Sequence, residues 1–206
     1  MNKNLKTVSS IALLIVIIFL SYKVYESIMH PVRFAQINNA RRAAVIANLK
    51  DIREIQKYYR QNKGSYANDF TSLLAFAEEG KIPIVRIVPD PKDTTNTRSI
   101  ADTIGFVSVK DSLFGRREQF DLKKLPIVPY SNNVQFELQA DTLERSGVKV
   151  YVFEAKTLNT NFLMGKGMEA YKQDIINLNN KLEQLNRYPG LKVGSLTEVT
   201  TDGNWE

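Results

Sequence analysis

The sequence contains no cysteine and a single histidine, His30. The first absence excludes disulfide frameworks, thiolate zinc sites, iron–sulfur clusters and thiol nucleophiles together. The second excludes His-rich metal sites. With the one imidazole beside an apolar segment, a Ser–His–Asp or Cys–His catalytic arrangement is excluded as well. A Gly-rich phosphate loop is also missing: Gly165-Lys166-Gly167 lacks the Walker pattern and follows no clear strand. There is no internal repeat and no low-complexity tract, and the lone tryptophan, Trp205, reads as a packing plug rather than a ligand platform. What is present is ordinary in amount. With 206 residues and 43% apolar side chains the chain suits one domain, or one domain with appendages, and wholesale disorder is excluded.

The formal net charge of +6 is unevenly placed. Residues 1–60 hold ten Lys/Arg against three acids, a net of +7, and the remainder carries −1. A nucleic-acid binder needs its basic footprint on the folded domain or a tail. Here the excess flanks an apolar segment, where it meets lipid headgroups or sets topology. No nucleic acid is expected as a partner; membrane lipid is.

Ile11, Ala12, Leu13, Leu14, Ile15, Val16, Ile17, Ile18, Phe19 and Leu20 form an unbroken, uncharged run. Extended through Thr7–Ser10 and Ser21–Tyr25 it gives about nineteen positions, enough at ~1.5 Å each to cross a ~30 Å hydrocarbon core. Lys23 snorkels, and Tyr22 and Tyr25 serve as interfacial anchors. A cleaved signal peptide also begins with lysines before an apolar core, but cleavage needs small residues one and three positions before the cut. Cuts after Ser21 or Ser27 would put Phe19 or Tyr25 at the outer position, so an uncleaved anchor is expected. Lys3 and Lys6 favour an inside N-terminus, Lys23 and Arg33 dilute that bias, and a long C-terminal domain translocates largely regardless of charge. The expected organisation is a short basic N-terminus at 1–7, a transmembrane anchor at 8–29, an amphipathic juxtamembrane helix at 30–64 and an extracytoplasmic head at 65–206.

His30-Pro31 is expected to interrupt the helical pattern and kink it. Val45, Leu49, Ile52, Gln56 and Tyr59, with Ile55 beside them, then step at helical spacing along one face, and Gly64 is a left-handed cap. Arg42, Lys50, Arg53, Lys57 and Arg60 share another flank within about a quarter turn at ~100° per residue. This is either a solvated face, supported by a Lys50–Glu54 pair, or a contact surface for lipid headgroups or an acidic neighbouring subunit. Lys57 and Arg60 lie ~25 Å beyond Arg42 along a helix axis, outside the ~8 Å reach of a screened membrane surface, which favours a subunit. Further on, Asn68 or Asp69 caps a short helix closed by Glu78-Glu79-Gly80, and Ile82–Val88 reads as a strand confined to an edge by Pro83. Residues 90–99 read as a polar loop, and Phe106, Val107 and Val109 as a short strand. Leu125–Tyr130 reads as rigid and extended. Val134–Ala140 and Val148–Phe153 alternate cleanly and should pair antiparallel across a linker, 141–147, longer than a tight hairpin. Glu169–Tyr188 reads as a helix on Ile175, Leu178, Leu182 and Leu185, stopped by Pro189-Gly190, with a last strand at Leu191, Val193 and Leu196.

Asp202, Asn204 and Glu206 alternate oxygen ligands that could suit Ca²⁺, but the twelve-position calcium loop is absent and a polar tail is the expectation. No pair among the 22 acids is singled out for catalysis. No catalytic residue, metal or cofactor is expected.

From the anchor to residue 76 the chain resembles type IV pilins and type II secretion pseudopilins. The matching pieces are the apolar helix Ile11–Leu20, Pro31, the amphipathic continuation Val45–Tyr59, the Tyr58-Tyr59 turn, Gly64-Ser65-Tyr66 and the strands within 134–153. The chain lacks the family's Gly-Phe cleavage pair, its Glu five residues into the mature helix and its calcium motif. The resemblance implies an α+β fold: a transmembrane helix continuing into a kinked amphipathic helix, packed on a small, mainly antiparallel sheet, with a C-terminal helix. It implies a single-pass protein of the bacterial inner membrane with its C-terminal domain outside the cytoplasm. The expected function is a non-enzymatic, pilin- or pseudopilin-like component of an envelope assembly, with protein partners or self-association. The alternatives are a membrane-tethered extracytoplasmic binding or scaffold domain unrelated to filaments, and a tethered hydrolase using carboxylates.

Overall fold

The computed structural model describes residues 3–89, 99–117, 120–145, 147–165 and 167–206. The expected polar loop at 90–98, Lys166 of the Gly165–Gly167 run and the side chains of Lys3 and Lys6 lie outside the described residues. The chain is α+β, and it divides into two compact units, Met1–Arg42 and Ala43–Glu206.

The first unit is helical throughout its described length, within a helix α1 that spans Lys3–Lys63. Ile11 and Leu13–Leu20 are 50–62% exposed, so this run buries nothing against protein. Its most apolar eighteen-residue window has a mean hydropathy of 2.1 and is long and apolar enough to cross a membrane. The expected break at His30-Pro31 is absent: helical backbone continues through Pro31. A proline removes one backbone donor and crowds one preceding carbonyl, a local disturbance that a long helix absorbs at some cost. Arg33 Nη1 donates to Glu26 Oε1 at 3.1 Å, an ion pair that brackets Pro31 in sequence.

In the second unit the rest of α1 is the wall on which the head is built. Val45, Leu49, Ile52, Ile55 and Gln56 are completely buried, which is the stripe their spacing specifies. Tyr59 is half-buried and meets Phe76 edge-on at 5.2 Å. Gly64 takes φ +78 and donates its N–H to Arg60 O at 2.8 Å, ending the helix where a side chain would be strained. Gln56 Nε2 donates to Ala67 O at 2.8 Å and Gln56 Oε1 accepts from Ala67 N–H at 2.9 Å, so one amide clasps the returning loop from both sides. Asp69 then caps α2, Phe70–Glu79, accepting from Ser72 N–H at 2.7 Å. Asn68 instead accepts from Ala140 N–H at 2.9 Å and ties the loop to a strand.

Two antiparallel sheets follow. β1, Lys81–Pro89, and β2, Ser99–Ser108, form a two-stranded ribbon; β3, Glu137–Arg145, β4, Val148–Leu158, and β5, Gly190–Gly194, form a three-stranded sheet in the order β3-β4-β5. Between them lie α3, Val109–Phe114, and a 3₁₀ turn at Leu122–Lys124. After β4 come α4, Asn159–Leu163, a 3₁₀ turn at Glu169–Tyr171 and α5, Lys172–Gln184. β4 is the central strand, with Val152, Phe153, Glu154 and Ala155 buried in succession.

Several expectations need correction. Val109 begins α3 rather than continuing a strand, because the Ser108 side chain accepts from Asp111 N–H and caps a helix there. Leu125–Tyr130 is mostly turn: Leu125, Pro126 and Val128 are buried, Ile127 makes an isolated bridge to Gln135, and Tyr130 has φ +63. β3 starts at Glu137 and runs through Asp141–Arg145, so the connection to β4 is the tight one at 146–147, with Gly147 at φ +76. That stretch is polar because β3 is a solvated edge strand, not because it is a loop. The C-terminal helix is shorter than expected, ending at Gln184 with Asn186 at φ +52, and Leu185 is exposed rather than part of its buried face. Leu196 lies beyond the last strand.

The buried stripe is open to test. Ile52→Ala is expected to cost about 2–5 kcal/mol in denaturant unfolding, the range for emptying a core site. Gln56→Leu, nearly isosteric, should cost at least ~2 kcal/mol, because Ala67 would lose the partners of both its peptide groups. A loss of only a few tenths in either variant would place the stripe against something other than the head's own core.

Candidate functional site

The basic flank of α1 is the feature for which the fold supplies neighbours. Glu54 follows Arg53 directly and lies about one turn before Lys57, and it gathers both: Lys57 Nζ is 2.9 Å and Arg53 Nε 3.8 Å from its Oε1. The expected Lys50–Glu54 pair is not made; Lys50 stands exposed, and the i,i+3 lysine takes the carboxylate. Arg53 also reaches Glu206, Nη1 to Oε1 at 2.8 Å, with little of its side chain exposed. Arg60 is held differently. Its Nη1 donates to the Tyr66 hydroxyl at 3.1 Å and the guanidinium lies 5.2 Å from the Tyr66 ring centroid. Arg42 belongs to the first unit, where burial lowers its pKa.

Two shallow clefts share Arg60 and Tyr66. One, of about 130 Å³, is closed by Tyr151, Val199 and Thr200; the other, of about 330 Å³, by Lys57 and Gln61. Among the described residues Arg60 has no carboxylate partner, so it presents a planar cation, pre-oriented by Tyr66, at the mouth of both. That arrangement suits an oxyanion such as a carboxylate.

Three features escaped the sequence reading. Asp51, nearly buried, accepts two hydrogen bonds from Arg117, at 2.7 and 3.0 Å. The same guanidinium lies 5.6 and 5.5 Å from the rings of Phe114 and Phe120, themselves stacked at 3.9 Å. The hydrogen bond to Asp51 raises the Arg117 pKa, fixing the cation, and the clamp fastens a loop to α1. Local sequence holds no signal for a pair 66 residues apart.

The second is a charge ladder across the larger sheet. Lys156 and Lys192 are directly opposite on β4 and β5, an arrangement that repels, and Glu154 neutralises both at 2.9 and 3.2 Å. Glu137 on β3 stands 3.9 Å from Lys156. Burial acts to raise the Glu154 pKa, but the hydrogen bonds and charges of the two lysines outweigh it and hold the carboxyl below its ordinary range. Burial, aided by Glu137 and Glu154, pushes Tyr188 up to about 12, so it stays a neutral phenol.

The third is a cleft of about 610 Å³ between the end of α1, α2 and the base of the ribbon. Tyr59, Asn62, Lys63, Phe76, Glu79 and Phe106 are among its lining residues. Among its described lining residues Glu79 is the carboxylate.

The terminal oxygen ligands are used within the fold. Asn204 accepts from Lys192 N–H and donates to Gly190 O, Asp202 accepts from the Thr200 hydroxyl, and Glu206 takes Arg53. Trp205 lies against Gly203, where an added Cβ would strike its ring. Among the described residues no cluster of three or more His, Asp or Glu side chains is placed to hold a metal ion.

The chain matches no protein-family model, no curated protein and no solved structure.

The charge ladder fixes the sign of a pH dependence. Because the folded Glu154 carboxyl titrates below its ordinary value of 4.5, its contribution is present above that pH and is lost as pH falls through the lower, folded value. Thermal unfolding should therefore show stability falling below about pH 4.5, and Glu154→Gln should flatten that segment of the profile. An unchanged profile in the variant would remove the ladder from the account of acid sensitivity.

Proposed function

We propose that the chain is a non-enzymatic, single-pass protein of the bacterial inner membrane. In this reading residues 30–206 lie outside the cytoplasm and act as a pilin- or pseudopilin-like component of an envelope assembly. The observation that carries the reading is the double character of α1. One stretch, Ile11–Leu20, is apolar and exposed along its length, while Val45–Gln56 supplies the completely buried wall of an α+β head. A soluble protein has no use for the first stretch, and a simple tether has no need to continue as the principal core helix of its cargo. Lys3 and Lys6 at the N-terminal side and the length of the head favour an inside N-terminus.

The basic flank supports an assembly role. Isolated surface pairs contribute ~0–1 kcal/mol, so Lys57 and Arg60 are not needed for the fold. Arg60, pre-oriented and without a carboxylate of its own among the described residues, is the group an acidic neighbouring subunit would engage. A tethered scaffold domain is the second reading, favoured by the open cleft that includes Tyr59 and Phe106.

The chain expressed in a bacterial host should sediment with membranes and keep its N-terminal residues by mass spectrometry. Soluble protein beginning between residues 22 and 35 would overturn the anchor. Electron microscopy of purified material should show ordered polymers, and their absence would favour the scaffold. Reversing Lys57 and Arg60 to Glu is expected to leave folding and membrane insertion intact while reducing crosslinked partner or self-association. Unchanged crosslinking would make the flank a solvated face.

A further inference from the structure

We propose that Arg60 and Tyr66 form an oxyanion-binding site that takes a single carboxylate or phosphate group. The inference deepens the reading of the basic flank given above and rests on it only for what carries that group. Arg33, Arg53, Arg86 and Arg117 each take a carboxylate of this chain. Arg60 takes a phenol instead: its Nη1 donates to the Tyr66 hydroxyl at 3.1 Å. A hydroxyl that accepts keeps its own proton to donate, and among the described residues that proton has no acceptor. Donation by a cation polarises the phenol and strengthens the bond its proton makes. The pair therefore offers an anion two kinds of donor side by side, the remaining N–H groups of a guanidinium and a phenolic O–H.

The second donor is fixed by the fold. Tyr66 is 7% exposed, its ring lies 4.7 Å from that of Phe153 in the core, and the next residue, Ala67, is clasped by Gln56. Gly64, at φ +78, turns the chain so that Tyr66 comes back beside Arg60, whose guanidinium lies 5.2 Å from the ring centroid. A fork held in place before the ligand arrives avoids the ordering cost that a free surface arginine meets on binding. The surroundings select the sign. Lys57 and Gln61 complete the lining of the wider cleft, Tyr151 and Thr201 are on the smaller, and among the described residues no carboxylate lines either. Two acids close by in sequence are already engaged: Glu54 holds Lys57 and Arg53, and Asp202 accepts from the Thr200 hydroxyl. The volumes select the ligand. The smaller cleft, about 130 Å³, has room for one oxyanion group, whereas a drug-sized ligand needs ~300 Å³ or more. The wider one, about 330 Å³, reaches that size, but Lys57, Arg60, Gln61 and Tyr66 line it and supply charge and hydrogen bonds rather than aliphatic cover. The C-terminal carbonyls of α1 oppose an anion at this end of the helix, so affinity comes from the two side chains and not from the macrodipole.

The test uses the full chain in nonionic detergent, with inorganic phosphate and acetate as probes and sodium chloride holding the ionic strength constant. The side-chain Nε–H resonance that Arg60→Gln removes from the spectrum locates the site, and it should shift saturably with either probe. Affinity is read from the rise of the thermal unfolding midpoint with probe concentration. Tyr66→Phe keeps the ring and its packing and should weaken binding about tenfold, as should Arg60→Lys, which keeps the charge and loses the fork. Arg60→Lys alters an exposed side chain, so it decides the matter even where Tyr66→Phe does not fold. Lys123→Gln, at an exposed lysine outside both clefts, should bind as the parent does. A midpoint that rises equally in Arg60→Gln, or a resonance that drifts without saturating, means general screening and overturns the site. Parental affinity in Tyr66→Phe or Arg60→Lys overturns the two-donor geometry. The carrier is decided in membranes. Saturating phosphate, against sodium chloride of equal ionic strength, lowers the crosslinking of the chain if a neighbouring subunit's carboxylate occupies the site. Saturable binding with unchanged crosslinking supports a site for a free anion and ends the subunit reading of Arg60. Crosslinking that depends on Arg60 in a chain that binds neither probe keeps the subunit reading and overturns the site.

Discussion

Val45, Leu49, Ile52, Ile55 and Gln56 leave no surface uncovered, and the head is arranged around that demand. Hydrophobic burial on its own is non-directional: it pulls loops and sheets onto α1 without specifying which residue meets which. Direction comes from polar groups on and beside the stripe. Gln56 clasps Ala67, Asp51 holds Arg117 and Arg53 holds Glu206, contacts that span 11, 66 and 153 residues of chain. Closing a loop costs entropy that grows only slowly with its length, so one helix can fasten near and remote segments with similar effect. The clasp at Ala67 has a further consequence, because it sets the path from Gly64 to the Asp69 cap and so the start of α2.

What could be read from sequence was what depends on neighbours a few residues away. The 3–4 spacing from Val45 to Tyr59, the Gly64 stop, the Asp69 cap and the alternation in β4 are all local patterns. The failures share a cause. Asp141–Arg145 is polar because β3 is an edge, and edge status is a property of the sheet rather than of the segment. Val109 reads as a strand residue beside Phe106 and Val107, yet the serine one residue earlier captures a backbone N–H and starts a helix. Leu185 keeps helical phase with Ile175 but lies past the point where α5 ends. The basic flank was legible as a set of five residues; that Lys57 takes Glu54 and that Tyr66 orients Arg60 was not, since each depends on a rotamer or on a turn beyond the helix.

Charge tells a similar story at larger scale. The surplus in the first sixty residues is a sequence fact, but its distribution is decided by structure. Arg53 is neutralised by a residue from the far end of the chain and Lys57 by its own helix. Arg60 retains its charge with an aromatic partner rather than an acid. The larger sheet handles its own lysines internally, with Glu154 between two that would otherwise repel. A basic helix is therefore a poor predictor of a basic surface, and the residues worth attention are those the fold orients without neutralising.

The two sheets apply opposite rules to exposed backbone. β3 edges the larger sheet and presents Glu137, Gln139, Asp141, Glu144 and Arg145, a charged border of the kind that keeps strands from joining others. The ribbon's edges are interrupted by geometry instead, with Pro83 on one strand and a bulge on the other, and Ile87 and Phe106 stand exposed on it.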